Sequence, residues 1–241
     1  MSKLTYLDHS GFMVQTPDVI LVFDYYRDPA HKVVKTLEHN PEMPVVFFFS
    51  HNHHDHFNHE VFNLAQNHKR LYVMSNDIVD RQDNMSVPIA WMSHGDVIED
   101  SVGGITVKAY GTTGKGVCFD VKTADGKHIF HAGELGEPLS HNDDAPRDVK
   151  KYEEKFMTAV DRIASAQPSF DLAMMSVDTV DGPDFAMGAA RFLEKVSVAA
   201  FVPYHTDDPS DKACNFAAYP FTKNVGTRMI CLTRPGESAD F

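Results

Sequence analysis

Residues 50–56 read Ser-His-Asn-His-His-Asp-His, placing four imidazoles and a carboxylate in seven positions directly after the apolar run 44–49. Imidazole nitrogen with carboxylate oxygen is a donor set that suits Zn²⁺, Mn²⁺ or Fe²⁺, and a strand that stops abruptly into a loop holds such donors in fixed directions. His51 and His53 alternate and can face one cation, while Asp55 and His56 lie past the turn and can face a second. Two adjacent cations are what a two-metal hydrolytic centre requires. Any single histidine here also reads as part of a solvated loop, His54 and His59 most of all. The order of His51, His53, Asp55 and His56 is what points to metal.

The hydrophobic pattern supplies elements to position this set. Residues 4–24 read as strands, with the buried run 19–23 set off by Thr16-Pro17-Asp18 as a hairpin. Residues 45–49 form a fully apolar strand. Val61, Phe62, Leu64 and Ala65 then predict a helix, so the cluster occupies a strand-to-helix connection, a common place for function. Further strands are expected at 71–74, at Ile98 and at 105–110, and runs 117–123 and 128–131 flank Asp125-Gly126, a hairpin signal. Val149, Tyr152, Phe156, Val160 and Ile163 recur at spacings of three and four, which predicts a helix with one buried stripe. Residues 170–177 read as a strand. Asp184 can cap a second helix carrying Phe185, Ala189, Phe192, Leu193 and Val196, and the strand 199–204 delivers His205 at its end. Strands first, then strands alternating with helices, describe a mixed α/β chain with two sheets face to face and helices outside.

With 241 residues, the chain suits one domain, 1–241, able to bury about 70–75% of its unfolded surface. Its 22 Lys and Arg against 34 Asp and Glu give a net charge of −12, and with no basic run nucleic acid is not an expected partner. The N-terminus lacks the apolar core of a signal peptide and no run approaches membrane-spanning length, so a cytoplasmic protein without a membrane partner is expected. Cys118, Cys214 and Cys231 are odd in number and widely spaced. They predict packed, reduced thiols, not a disulfide framework or a thiolate zinc site.

Three further segments end apolar strands in metal-capable side chains: His131-Ala132-Gly133-Glu134, Val202-Pro203-Tyr204-His205 and Ser176-Val177-Asp178. Together with His9-Ser10-Gly11-Phe12 and the loop 111–117, the chain resembles the metallo-β-lactamase superfamily, whose signature His-x-His-x-Asp-His is matched in full by His51, His53, Asp55 and His56. The similarity looks closest to the branch containing L-ascorbate-6-phosphate lactonase. The resemblance implies a four-layer αββα sandwich of two mixed β-sheets flanked by helices, with one or two divalent ions (Zn, Mn or Fe) at one edge of the sheets. It implies His51 and His53 on the first metal, Asp55, His56 and His205 on the second, and Glu134 bridging them. A hydroxide held between the metals and oriented by Asp55, the catalytic residue, would attack an ester or lactone, an amide or a phosphodiester.

Two positions depart from the family pattern. Glu134 stands where the family usually has Asp, and near 111–114 a third His is replaced by Thr112 and Thr113. A weaker first site follows, with one ion held tightly and the other labile. His9 and His94 are alternative sources of the missing ligand, His94 reading first as a solvated turn residue. Second-layer or substrate-facing roles are expected for His9, Thr112, Thr113, Lys115 and Asp178: Asp178 by orienting an imidazole, Lys115 by meeting an anionic substrate. Competing readings are a metal-binding protein without turnover and a di-iron oxygen or nitric-oxide reductase. The second fits less well, because those relatives usually carry Glu where His53 stands. A small-molecule substrate is the expected partner, and a homo-oligomer is left open.

Overall fold

Strands with both faces apolar need cover on both sides, and the chain meets that need with two sheets that share one interior and carry helices outside. The computed structural model describes residues 2–78, 87–136, 146–177, 185–204 and 226–241. Its first sheet contains β1 (Lys3–Asp8), β2 (Gly11–Gln15), β3 (Ile20–Phe23), β4 (Val45–Phe49), β5 (Arg70–Ser75) and β6 (Ile89–Met92). The second contains β7 (Val97–Ile98), β8 (Thr106–Gly111), β9 (Val117–Lys122), β10 (His128–His131), β11 (Ser169–Ser176), β12 (Ser197–Tyr204) and β13 (Arg228–Met229), while β14 (Ser238–Asp240) returns to the first. The strand orders are β14-β1-β2-β3-β4-β5-β6 and β13-β12-β11-β10-β9-β8-β7. Each sheet is antiparallel where tight turns join neighbours. It becomes parallel from β3 to β6 and from β10 to β13. The fold is therefore the expected αββα sandwich of two mixed sheets.

The shared interior packs Phe12, Phe23 and Phe48 of the first sheet against Phe119, Ile129 and Met174 of the second. Helix α1 (Lys32–His39) covers the outer face of the first sheet with Val33 and Leu37, one turn apart. Helices α2 (Pro146–Ala166) and α3 (Met187–Lys195) cover the second, Phe156, Val160 and Ile163 meeting Phe130 and Phe170. No helix among the described residues is long and apolar enough to cross a membrane.

Two expectations need correction. The helix after the histidine cluster is only a five-residue 3-10 turn, His59–Asn63. Val61 is the buried residue of that turn, and Leu64 is already extended. Helix α1 and strand β6 were not foreseen, since each is too short to show a clear period. Asp184 lies outside the described residues, and α3 begins after Ala186 without a side-chain cap. Cys118 is a free, buried thiol, but Cys231 is disulfide-bonded, which overturns the reading of three reduced thiols; Cys214 lies outside the described residues. Wide spacing in sequence says nothing about separation in space.

Candidate metal centre

In parallel strands the carboxyl ends point the same way, and loops leaving them share one rim. Here β3 ends into Asp24, β4 into Ser50 and His51, and β10 into the loop carrying Glu134. The Asp24 amide bonds Phe48 O at 2.9 Å, fixing the first two ends in register. Across the sandwich, the Val117 amide bonds Ser50 O at 2.9 Å and ties the start of β9 to the cluster. That approach needs a glycine beforehand: Gly116 has φ +71°, and a Cβ there would sit 1.9 Å from Ser50 O.

His51 and His53 both reach one carboxylate oxygen. Glu134 Oε1 lies 3.1 Å from His51 Nε2 and 2.7 Å from His53 Nδ1, while Glu134 Oε2 accepts the Lys115 amide at 2.9 Å. A second group joins His9, Asp55 and His56, with His9 Nε2 3.0 Å from Asp55 Oδ2. His9 reaches in from the β1–β2 turn in a left-handed conformation, φ 54°. The two groups meet where the His51 and His56 rings lie 4.0 Å apart. His51 and His56 are buried, whereas the His53 side chain is 40% exposed, so the centre opens to solvent on the His53 side.

Beneath both groups lies Asp24, which sequence reasoning missed. Its buried carboxylate accepts the Ser50 amide at 2.7 Å, the Ser50 hydroxyl at 2.6 Å and the His56 Nδ1 proton at 2.7 Å. Burial would raise its pKa, but His131, His56 and His51 outweigh that and hold it well below the usual carboxylate range. The same reading that singled out Asp178, a carboxylate directly after a buried strand, applies to Asp24 after 20–23.

Asp24 decides which imidazole nitrogens face the centre. The Ser50 hydroxyl spends its one proton on Asp24, so it can only accept at its 2.8 Å contact with His51 Nδ1. His51 Nδ1 therefore carries the proton and Nε2 presents a lone pair to Glu134 Oε1. Likewise the proton on His56 Nδ1 leaves its Nε2 as the lone-pair nitrogen. Acceptor facing acceptor at about 3 Å is repulsive unless positive charge sits between them, and this donor chemistry fits a divalent cation. Without one, a proton serves: burial lowers the His51 pKa, but Glu134 and Asp24 more than offset it and the result is raised. Glu134 responds in kind, burial pushing up but His51, the Lys115 amide and His53 bringing it from 4.5 to about 2. Burial likewise raises Asp55, and His56, its own amide and His9 outweigh it, so the carboxyl stays below its ordinary value. His53 moves down, because its desolvation outweighs Glu134.

His131, buried between Phe23 and Tyr204 at ring separations of 5.3 Å each, donates from Nε2 to Ser10 O at 3.1 Å and faces Asp24 with Nδ1 at 3.8 Å. Burial lowers its pKa more than Asp24 raises it, and the ring packs under the centre. Tyr204 completes this floor by donating to Gly133 O at 2.6 Å.

The remaining predicted residues separate. Thr113 is buried, its hydroxyl bonding Gly136 O at 2.5 Å, and the Thr112 hydroxyl bonds Lys115 O at 2.8 Å; both shape the loop. Lys115 meets Glu134 through its amide while its side chain is exposed. Glu134 joins the His51 and His53 group and not, among the described residues, the group of Asp55 and His56. His94 is an exposed turn residue whose Nδ1 accepts the Gly111 amide at 2.9 Å. His205 and Asp178 lie outside the described residues.

The chain is similar to solved structures throughout its length. A metallo-hydrolase from Ignicoccus hospitalis, Igni18, is 16% identical, with 100% of each chain covered and a TM-score of 0.67. An isothiocyanate hydrolase from Delia radicum gut bacteria is 14% identical, with 99% of each chain covered and a TM-score of 0.60. CmlA, a diiron β-hydroxylase from Streptomyces venezuelae, is 11% identical, covering 100% of this chain and 54% of its own, with a TM-score of 0.65. At such identities the likeness is one of fold. No curated protein matches the chain in sequence. The family described as "Beta-lactamase superfamily domain" matches residues 3–149, a span that holds β1 to β10, the histidine cluster and Glu134. The chain belongs to the β-lactamase superfamily.

Proposed function

We propose that the protein is a metal-dependent hydrolase of an ester or lactone, with amides and phosphodiesters as alternatives, akin to the L-ascorbate-6-phosphate lactonase branch. The observation that carries this reading is the opposition of His51 Nε2 and Glu134 Oε1 at 3.1 Å, with His53 Nδ1 on the same oxygen. His51, His53 and Glu134 would hold one divalent cation, and His9, Asp55 and His56 a second, with His205 a further ligand. A cation in such a place acidifies water and polarises the bond under attack. The chain's own part is orientation. Asp24 holds the tautomeric protons of His51, through Ser50, and of His56 on Nδ1, so that Nε2 of each ring is the nitrogen offered to a cation, and Asp55, ionised beside His56 and His9, aligns the attacking water. The exposed side at His53 admits the substrate.

A panel of nitrophenyl esters, lactones and phosphodiesters, assayed with Zn²⁺ or Mn²⁺, tests this. Turnover that depends on added metal and is lost in His51→Ala supports it. Stoichiometric metal with silence across the panel would favour a binding protein without turnover. The likeness to CmlA supplies a second reading, and iron with metal-dependent oxygen consumption would favour it.

A further inference from the structure

Outside this centre, a cleft of about 510 Å³ lies between the end of β8 and α2, lined among others by His94, Tyr110, Lys151, Lys155 and Arg162. We propose that it is a binding site for an oxyanion, a phosphate or carboxylate group, held by Arg162, His94, Tyr110 and the two lysines.

His94 Nδ1 accepts the Gly111 amide at 2.9 Å, and Nε2 lies 3.4 Å from Arg162 Nη1. A neutral imidazole has one lone pair and a guanidinium has only donors, so the ring cannot accept from both. With the shorter bond taken by Gly111, Nε2–H and Arg162 N–H are two donors side by side. Tyr110, which lines the same cleft, carries a further donor. Its ring is buried and its hydroxyl has no hydrogen-bond partner among the described residues, which for a buried hydroxyl costs free energy unless something else accepts from it. Burial, Asp120 and Cys118 all raise its pKa, so the hydroxyl keeps its proton.

An oxyanion is the complementary ligand: it has acceptors only, and guanidinium geometry suits it. It would convert the donor-to-donor contact into two hydrogen bonds and give Tyr110 Oη a partner. Charge agrees. In a chain of net charge −12, the cleft lining carries Lys151, Lys155 and Arg162 against Glu154. The Lys155 ammonium is fixed there by Thr113 O at 2.8 Å, and two residues on, the Lys115 amide holds Glu134. An anion in the cleft is therefore joined to the metal centre through the 111–115 loop. The anion's source is either the substrate's own charged group or a free effector.

Inorganic phosphate titrated into the ¹⁵N-labelled full chain, followed at the Gly111 and Thr113 amides, tests the site. A saturable shift at both is expected. In Lys155→Gln with Arg162→Gln, whose side chains are exposed, the affinity should fall at least tenfold. Tyr110→Phe should weaken it severalfold with an unchanged circular dichroism spectrum, an effect that a purely packing role would not produce. Absence of a saturable shift in wild type, or equal affinity in the variants, overturns the proposal. The titration needs no turnover, so its failure is distinct from failure of the hydrolase reading. Where turnover is found, phosphate that competes with an anionic ester and spares a neutral one identifies the substrate's own group. Equal effects on both identify an effector.

Discussion

Asp24 lies buried beneath the candidate centre, and the protons it accepts decide which nitrogens His51 and His56 offer there. Its three hydrogen bonds, to the Ser50 amide and hydroxyl and to His56 Nδ1, determine the lone pairs offered at His51 and His56. Asp24→Asn keeps the shape and removes the charge. Metal affinity, measured by competition with a chelator, should fall about 10–100-fold while the fold is retained; unchanged affinity would mean the imidazoles are oriented by packing alone. Glu134 makes a separate prediction. Its folded pKa is depressed from 4.5 to about 2, so in metal-free protein it contributes stability that is full above about 4.5 and lost as pH falls through about 2. Denaturant titrations across that window should show a shallower pH dependence in Glu134→Gln than in wild type. At this scale the sequence shows the ligand candidates well, because strand-end histidines and carboxylates are visible in the chain. It hides Asp24, Ser10 and Ser50, whose roles depend on contacts such as the 3.0 Å approach of Ser10 Oγ to His56 Nδ1 across 46 residues.

At the scale of elements, the centre depends on loops that approach backbone to backbone. Gly116 at φ +71° allows the 111–117 loop to touch Ser50 O, and Gly133 at φ +54° lies where a Cβ would stand 2.6 Å from Val117 O. Gly116→Ala should destabilise the protein by about 2 kcal/mol or more and weaken metal binding too, since the loop that shifts carries the Lys115 amide off Glu134. Chemical denaturation and metal titration of that variant would read both effects; loss of stability with intact metal affinity would separate the loop from the site. The long amphipathic helix α2 and the buried strand β4 were legible because periods of 3.6 and unbroken apolar runs are strong signals over their lengths. Helix α1 was not: its two buried residues, Val33 and Leu37, are too few to set a period. The helix expected over 61–65 was a false signal of apolar spacing, because Ala65 takes φ +52° and the chain turns towards β5 after five residues.

At the scale of the whole molecule, the groups of the centre come from both sheets: the histidine cluster follows β4 of the first and Glu134 follows β10 of the second. A cation shared between them links the two layers, so binding should add to global stability. At a free metal concentration 100 times the dissociation constant the gain is about 2.7 kcal/mol, which for a chain of this size raises the melting temperature by roughly 5–10 °C. The sandwich itself followed from element order, strands then alternating strands and helices, and from the superfamily resemblance. Strand order did not follow, because pairing such as β14 with β1 joins the two ends of the chain. The central claim is that this arrangement holds divalent metal through His51 and His56. Elemental analysis by inductively coupled plasma mass spectrometry of wild type, His51→Ala and His56→Ala is its most direct test. At least one divalent ion per wild-type chain and a marked fall in both variants are expected; wild type without metal, even after incubation with Zn²⁺ and Mn²⁺, would contradict a metal centre here.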